Sequence, residues 1–197
     1  DHSLNRQEKL AARIKLLDSF IDVCQAIAYA HSKGVIHRDL KPENIMLGDF
    51  GETQVLDWGL ARVQGQEDKA LKDLQNGSLA LSKSLIESDS QALTLDGSIV
   101  GTPAYMPPEQ ARGELENVDE QSDVYSLGCV LYEVLTGHPP FVGDTPVSVA
   151  YQHVREDPVP PSQRRPGISP ELDAVVLKAL AKNPDNRYQS AAEMRAD

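Results

Sequence analysis

His37-Arg38-Asp39-Leu40-Lys41-Pro42-Glu43-Asn44 gathers carboxylates, cations and an amide within eight residues. A long segment with helical apolar periodicity precedes it, a short strand-like run follows it, and Asp57-Trp58-Gly59 comes soon after. The stretch reads as a loop able to hold a carboxylate beside a hydroxyl and an amide beside a metal ion. The segments on either side decide whether the chain can build that loop.

Upstream, Leu10, Ile14, Leu17, Ile21, Cys24, Ile27 and His31 recur at spacings of three and four, which predicts a helix over 6–32 with one apolar face. Gly34 is placed to cap its C-terminus. Downstream, Ile45-Met46-Leu47 reads as a strand, Gly48 to Glu52 as a turn, and Thr53 to Leu56 as a returning strand. Such a hairpin would bring the oxygen-bearing side chains of Asn44 and Asp57 to one end. Residues 64–98 change character: Lys, Asp, Gln and Ser dominate, and the reading is a long polar loop with one short helix over 69–74. Gly101 to Glu109 holds too many prolines for a regular helix. Helices are expected over 121–135, 146–154, 170–181 and from Ser190 onward, with a proline-rich extended connector over 157–170. The 121–135 stretch is the most apolar and belongs at the centre of the core.

Asp39, Asn44 and Asp57 offer hard oxygens suited to Mg²⁺. Lys41, two residues after Asp39, points the same way on an extended loop and would neutralise phosphate charge while Asp39 accepts a proton. Each of these residues alone is an ordinary surface group; the case rests on their arrangement.

The eight-residue loop resembles the catalytic loop of eukaryotic-like serine/threonine protein kinases of the bacterial Hanks type. Asp57-Trp58-Gly59 resembles their Asp-Phe-Gly triplet, Pro107-Pro108-Glu109 their Ala-Pro-Glu, and Asp123-Val124-Tyr125-Ser126-Leu127-Gly128 the start of their central helix. Arg187 falls where that family pairs an Arg with the Glu of Ala-Pro-Glu. Thr145 to Val154 and the residues to Ala196 resemble actinobacterial receptor-type members. The resemblance implies a protein-kinase-like α+β fold, of which this chain is the mainly α-helical C-terminal lobe with a small β-hairpin. It implies a partial kinase domain over 1–197, with an activation segment over 57–109 carrying the polar insert 64–98.

It also implies roles. Asp39 orients the substrate hydroxyl and accepts its proton; Lys41 contacts the γ-phosphate of ATP; Asn44 and Asp57 hold Mg²⁺ (or Mn²⁺). Met46 lies under adenine, and Glu43 near the ribose and peptide. Thr102 bonds toward Asp39 and Lys41, and with Lys41 marks a serine/threonine rather than a tyrosine kinase. His37 is a buried scaffold residue, Asp123 accepts backbone N–H groups of the loop, and Glu109 pairs with Arg187. Arg38 is a receiver for a phosphate on the activation segment, with Thr94, Ser98 and Ser90 as the modified residues. Trp58 departs from the usual Phe without touching the metal-binding Asp.

The formal net charge of −11 argues against a nucleic-acid partner. No stretch approaches the roughly 18 apolar residues of a membrane helix, so no membrane contact is expected from this segment. Cys24 and Cys129, both inside apolar runs, fit buried reduced thiols and a cytoplasmic kinase domain, with a full-length protein that is membrane-anchored in many relatives. The expected partners are protein substrates and an N-terminal kinase lobe, since the Gly-rich loop and strand Lys of the family are not among these residues; the chain reads as a fragment, inactive by itself. The alternative is a pseudokinase or scaffold lobe. The intact Asp39, Lys41, Asn44 and Asp57 argue against it. A small-molecule phosphotransferase is a third reading, opposed by the peptide-platform look of Thr102-Pro103 and Pro107-Pro108-Glu109.

Overall fold

The computed structural model describes residues 6–63 and 103–197. The insert 64–98, its expected helix over 69–74, Ser90, Thr94, Ser98 and Thr102 lie outside the described residues, as does the side chain of Leu10. Helix α1 (Arg6–Ser32) leads into the short strand β1 (Val35–Ile36). The strands β2 (Ile45–Leu47) and β3 (Thr53–Val55) form the expected antiparallel hairpin, registered Ile45↔Val55, Met46↔Gln54 and Leu47↔Thr53. Strand β4 (Arg62–Val63) pairs antiparallel with β1. Then come α2 (Pro108–Ala111), α3 (Glu120–Thr136), α4 (Pro146–Arg155), α5 (Pro161–Arg164), α6 (Pro170–Ala179) and α7 (Ala191–Ala196).

Helix α3 is the axis of the fold. Asp119 caps its first turn and Ser122 returns a bond to the Asp119 N–H, a closed capping box. Gly137, at φ 92°, ends it in the left-handed region that glycine adopts without strain. Every residue from Ser122 to Tyr132 is buried, as expected of a helix surrounded on all sides. Gly128 allows that packing: a Cβ there would come 2.8 Å from Ala179 Cβ of α6, closer than real carbons approach.

Helix α1 packs on α3 and α7, but its buried stripe is shifted from the expected one. Phe20, Val23, Cys24 and Ile27 are buried with His31, whereas Ile14 and Ile21 are exposed. At about 100° per residue those two isoleucines sit roughly 100° or more around the helix from Phe20, whose larger ring takes the centre of the interface. His31 is buried as expected, yet it serves as a polar anchor and not as an apolar contact. Both cysteines are free and buried. Burial pushes the Cys24 thiol up to about 12 and Cys129 higher still, which makes both poor nucleophiles.

One proline-based expectation needs correction. The 157–170 connector contains α5, a one-turn helix opened by Pro161 and held by Ser162, whose N–H and hydroxyl both bond Asp173 of α6. Residues 103–107 hold no α-helix, as expected, and Pro108 opens α2 only at the end of that stretch. Proline at a first helical position costs nothing, because that N–H has no intrahelical partner. No helix among the described residues is long and apolar enough to cross a membrane.

Candidate active site

The loop after β1 is pinned from beneath by one carboxylate. Asp123, in the first turn of α3, accepts the His37 N–H and the Arg38 N–H, each at 2.8 Å. His31 reaches the same carboxylate with Nε2, also at 2.8 Å. Arg38 is held at φ 70°, and Asp57 at φ 56°; they are the non-glycine residues with positive φ among the described residues. Strained backbone of this kind persists only where surrounding bonds over-determine it, and both instances flank the same site.

His37 ties the loop to the hairpin. Its Nε2 donates to Leu56 O at 3.0 Å and its Nδ1 accepts from the Asp39 N–H at 3.3 Å, which uses both ring nitrogens. The ring also meets Trp58 edge to face, centroids 4.6 Å apart. Such a histidine is scaffold and has no lone pair left for proton transfer.

Above this base, the chemical groups converge. Lys41 Nζ lies 2.7 Å from Asp39 Oδ2. Asn44 Nδ2 donates to Asp39 O (2.7 Å) and to Asp39 Oδ2 (3.1 Å). Those bonds occupy the amide nitrogen, so the oxygen is the end of Asn44 that can face a cation. The hairpin then delivers Asp57: Leu56 N–H donates to Asn44 O at 2.8 Å, one residue beyond the β2–β3 ladder. Asp57 is exposed and its Oδ1 accepts the Gly59 N–H at 3.3 Å. An amide oxygen and a carboxylate, without imidazole or thiolate, suit a hard ion whose remaining ligands come from phosphate and water. Among the described residues no cluster of three or more His, Cys, Asp or Glu exists that would hold a metal on its own.

Of the other residues singled out from sequence, Glu43 is exposed beside Asn44, and Met46 is exposed on β2 opposite Gln54. Arg38 is buried under the loop. Arg62, which sequence reading passed over, lies opposite Ile36 in the β1–β4 pair and so close to Arg38 along the chain path.

A second network fixes the platform beyond the site. Arg187 grips Glu109 with both ends of its fork, at 2.8 and 2.9 Å. Its remaining donors reach Ala181 O, Gln121 O and Lys182 O, and Ser122 Oγ donates to Glu109. Burial would raise the Glu109 carboxyl, but Arg187, with Ser122, more than offsets it and holds the group below its ordinary range. His31 and Ser122 were missed as site-supporting residues. The signal for His31 was a polar side chain standing inside an apolar stripe; Ser122, in the polar first turn of α3, gave no such signal.

This arrangement has known counterparts. The chain matches the family model described as protein kinase domain over residues 2–196. It is 55% identical over 183 residues to the serine/threonine-protein kinase PknB of Mycolicibacterium smegmatis, covering 93% of this chain and 25% of that protein. Against the serine/threonine-protein kinase PknB of Mycobacterium leprae it is 56% identical over 176 residues, 89% of this chain and 24% of the relative. A probable serine/threonine-protein kinase of Streptomyces coelicolor shares 48% over 183 residues, 93% of this chain and 24% of its own length. The chain thus spans about a quarter of the length of these relatives. With residues 2–196 matched by that family model and its loop, hairpin and buried ion pair in place, the chain belongs to the protein kinase domain family.

Proposed function

We propose that the full-length protein transfers the γ-phosphoryl group of ATP to serine and threonine hydroxyls of proteins, and that this chain is its catalytic lobe. One observation carries the proposal: Asp39, Lys41 and Asn44 are joined by bonds of 2.7–3.1 Å, and the hairpin adds Asp57 to the same end. In the step proposed, the substrate hydroxyl oxygen forms a bond to the γ-phosphorus, the bond to the ADP oxygen breaks, and the hydroxyl proton passes to Asp39. Asn44 orients Asp39 through its amide nitrogen. Lys41 supplies a point charge for the transferring phosphate, for which Asp39 now serves as partner. The oxygens of Asn44 and Asp57 would hold Mg²⁺, which when bound neutralises phosphate charge. His37 and Asp123 keep the loop in register.

Several finer assignments accompany this reading. The activation segment spans 57–109, and Arg38 receives a phosphate from it, with Thr94 and Ser98 as the modified residues. Met46 and Glu43 contact the nucleotide, and Thr102 supports the catalytic loop. A nucleotide-binding N-terminal lobe belongs to the same full-length protein, whose kinase domain works in the cytoplasm. Asp39→Asn in the full-length protein tests the core of the reading, with transfer of labelled phosphate to a generic basic protein as the readout. Transfer at the wild-type rate would overturn it.

A further inference from the structure

His153 is fully buried, yet neither the catalytic reading nor the Glu109–Arg187 pair uses it. It stands on α4, which packs against the 3₁₀ turn Pro103–Tyr105. Phe141 meets its ring edge to face, centroids 4.9 Å apart. Its Nδ1 lies 2.9 Å from the Tyr125 hydroxyl, which Lys182 Nζ approaches to 3.4 Å. An ammonium only donates, so the hydroxyl accepts from Lys182 and gives its own hydrogen to Nδ1. The ring hydrogen of the neutral histidine is thereby left on Nε2. Burial first, and the Lys182 charge second, keep the ring neutral by pushing His153 down to about 3.

Nε2 completes no hydrogen bond among the described residues. The backbone acceptor that acts on the ring is Ala104 O, and the sequence explains why that oxygen is open. In a helical turn the carbonyl of residue 104 is met by the N–H of residue 107 or 108. Both are prolines and have no N–H. The same doublet strips Tyr105 O of the N–H of residue 108, and there Ser126 Oγ donates instead, at 2.9 Å. Pro103 O, three residues before Met106, receives its ordinary N–H at 3.1 Å. Each stripped carbonyl thus faces a side-chain donor on a helix behind it: Ser126 of α3 for Tyr105, and His153 of α4 for Ala104. A buried donor left without its acceptor is costly, so the two have reason to close on one another.

We propose that His153, through Nε2–H to the Ala104 oxygen, is a positioning residue for the acceptor peptide, and that Tyr125 fixes the tautomer that makes it a donor. Under the phosphotransfer reading, on which this rests, the Pro103–Glu109 segment belongs to the platform for that peptide. His153 touches neither the nucleotide nor the acceptor hydroxyl. It sets the plane of the peptide unit between Ala104 and Tyr105, and with it the face that the platform presents. Hydrogen bonds that serve a reaction are often long without substrate and tighten in the complex.

Steady-state kinetics of the full-length protein, with a generic basic protein as acceptor, tests this. His153→Asn keeps an oxygen to accept from Tyr125 but loses the donor at Nε2. It should raise KM for the acceptor about tenfold, while kcat moves less than about twofold and KM for ATP stays at its wild-type value. His153→Gln, whose amide nitrogen reaches the Nε2 position, should recover most of that loss. Tyr125→Phe keeps the ring that Arg187 covers at 4.9 Å and removes only the hydroxyl. It should raise the acceptor KM in the same direction by a smaller factor, and it decides the matter alone if His153→Asn does not fold. The proposal is overturned if the acceptor KM stays at wild type in these variants, if kcat falls in place of a KM rise, or if the Asn and Gln variants behave alike. Absence of transfer by the wild-type protein would sink the phosphotransfer reading and this inference together, whereas transfer with an unmoved KM sinks this inference alone.

Discussion

Two carboxylate–cation pairs sit within this small structure and serve opposite ends. Glu109 and Arg187 have side chains 1% and 0% exposed, joined by a two-point fork with every guanidinium N–H satisfied. Asp39 and Lys41 are joined at one point, with side chains 21% and 17% exposed. The first pair can do nothing except hold α2 against α3 and the segment before α7. The second keeps one foot in solvent, so either partner can be recruited by something else. Burial and saturation separate a structural ion pair from one available for chemistry, and bond length does not: both pairs sit within 2.9 Å.

The comparison can be broken by measurement. Asp39→Asn should give the largest change, a loss of transfer in the full-length protein of about 10²–10⁴-fold, with thermal stability within about 0.5 kcal/mol of wild type. A large stability loss there would mean that the exposed pair is structural after all. Arg187→Ala should do the reverse. Stranding Glu109 in the core should cost about 3–5 kcal/mol by urea denaturation, and Arg187→Lys should rescue little, since an ammonium cannot span both oxygens and three carbonyls. A cost below about 1 kcal/mol would remove the distinction.

Acid titration sharpens the same point. Glu109 is held below its ordinary range in the folded state, so its contribution is present above the unfolded value of about 4.3 and disappears as pH falls through the folded value. Acid unfolding of Arg187→Ala should lack this component when compared with wild type. The smallest effect is expected from Lys41→Ala on stability, within about 0.5 kcal/mol, because a partly exposed pair recovers its hydration when broken. Equal destabilisation by Lys41→Ala and Arg187→Ala would erase the contrast.

Much of the site could be read directly because its parts are close in sequence. Asp39, Lys41 and Asn44 lie within six residues, and the hairpin that brings Asp57 back is written as two short apolar runs around a glycine-rich turn. Helix α3 was equally plain, since its cap, its apolar run and Gly137 all agree. What could not be read were choices made by packing across long separations. Nothing local says that Phe20 and not Ile21 faces α3. Nor does anything local say that His31 will find Asp123, 92 residues away, or that Ser122 will bond Glu109. The one-turn helix α5 depends on Asp173 of the next helix, so proline content alone misjudged it.

Trp58 carries a practical consequence. It is the only tryptophan in the chain, it follows the carboxylate proposed to hold the ion, and its indole N–H donates to Val55 O at 3.0 Å while its ring meets His37. Its emission therefore comes from one place, the junction of the hairpin end with the loop. Excited near 295 nm, the unlabelled chain reports by colour and intensity any rearrangement of that junction, so that titrating a divalent ion or a nucleotide into the full-length protein, with any other indoles replaced, becomes an optical experiment needing no attached dye.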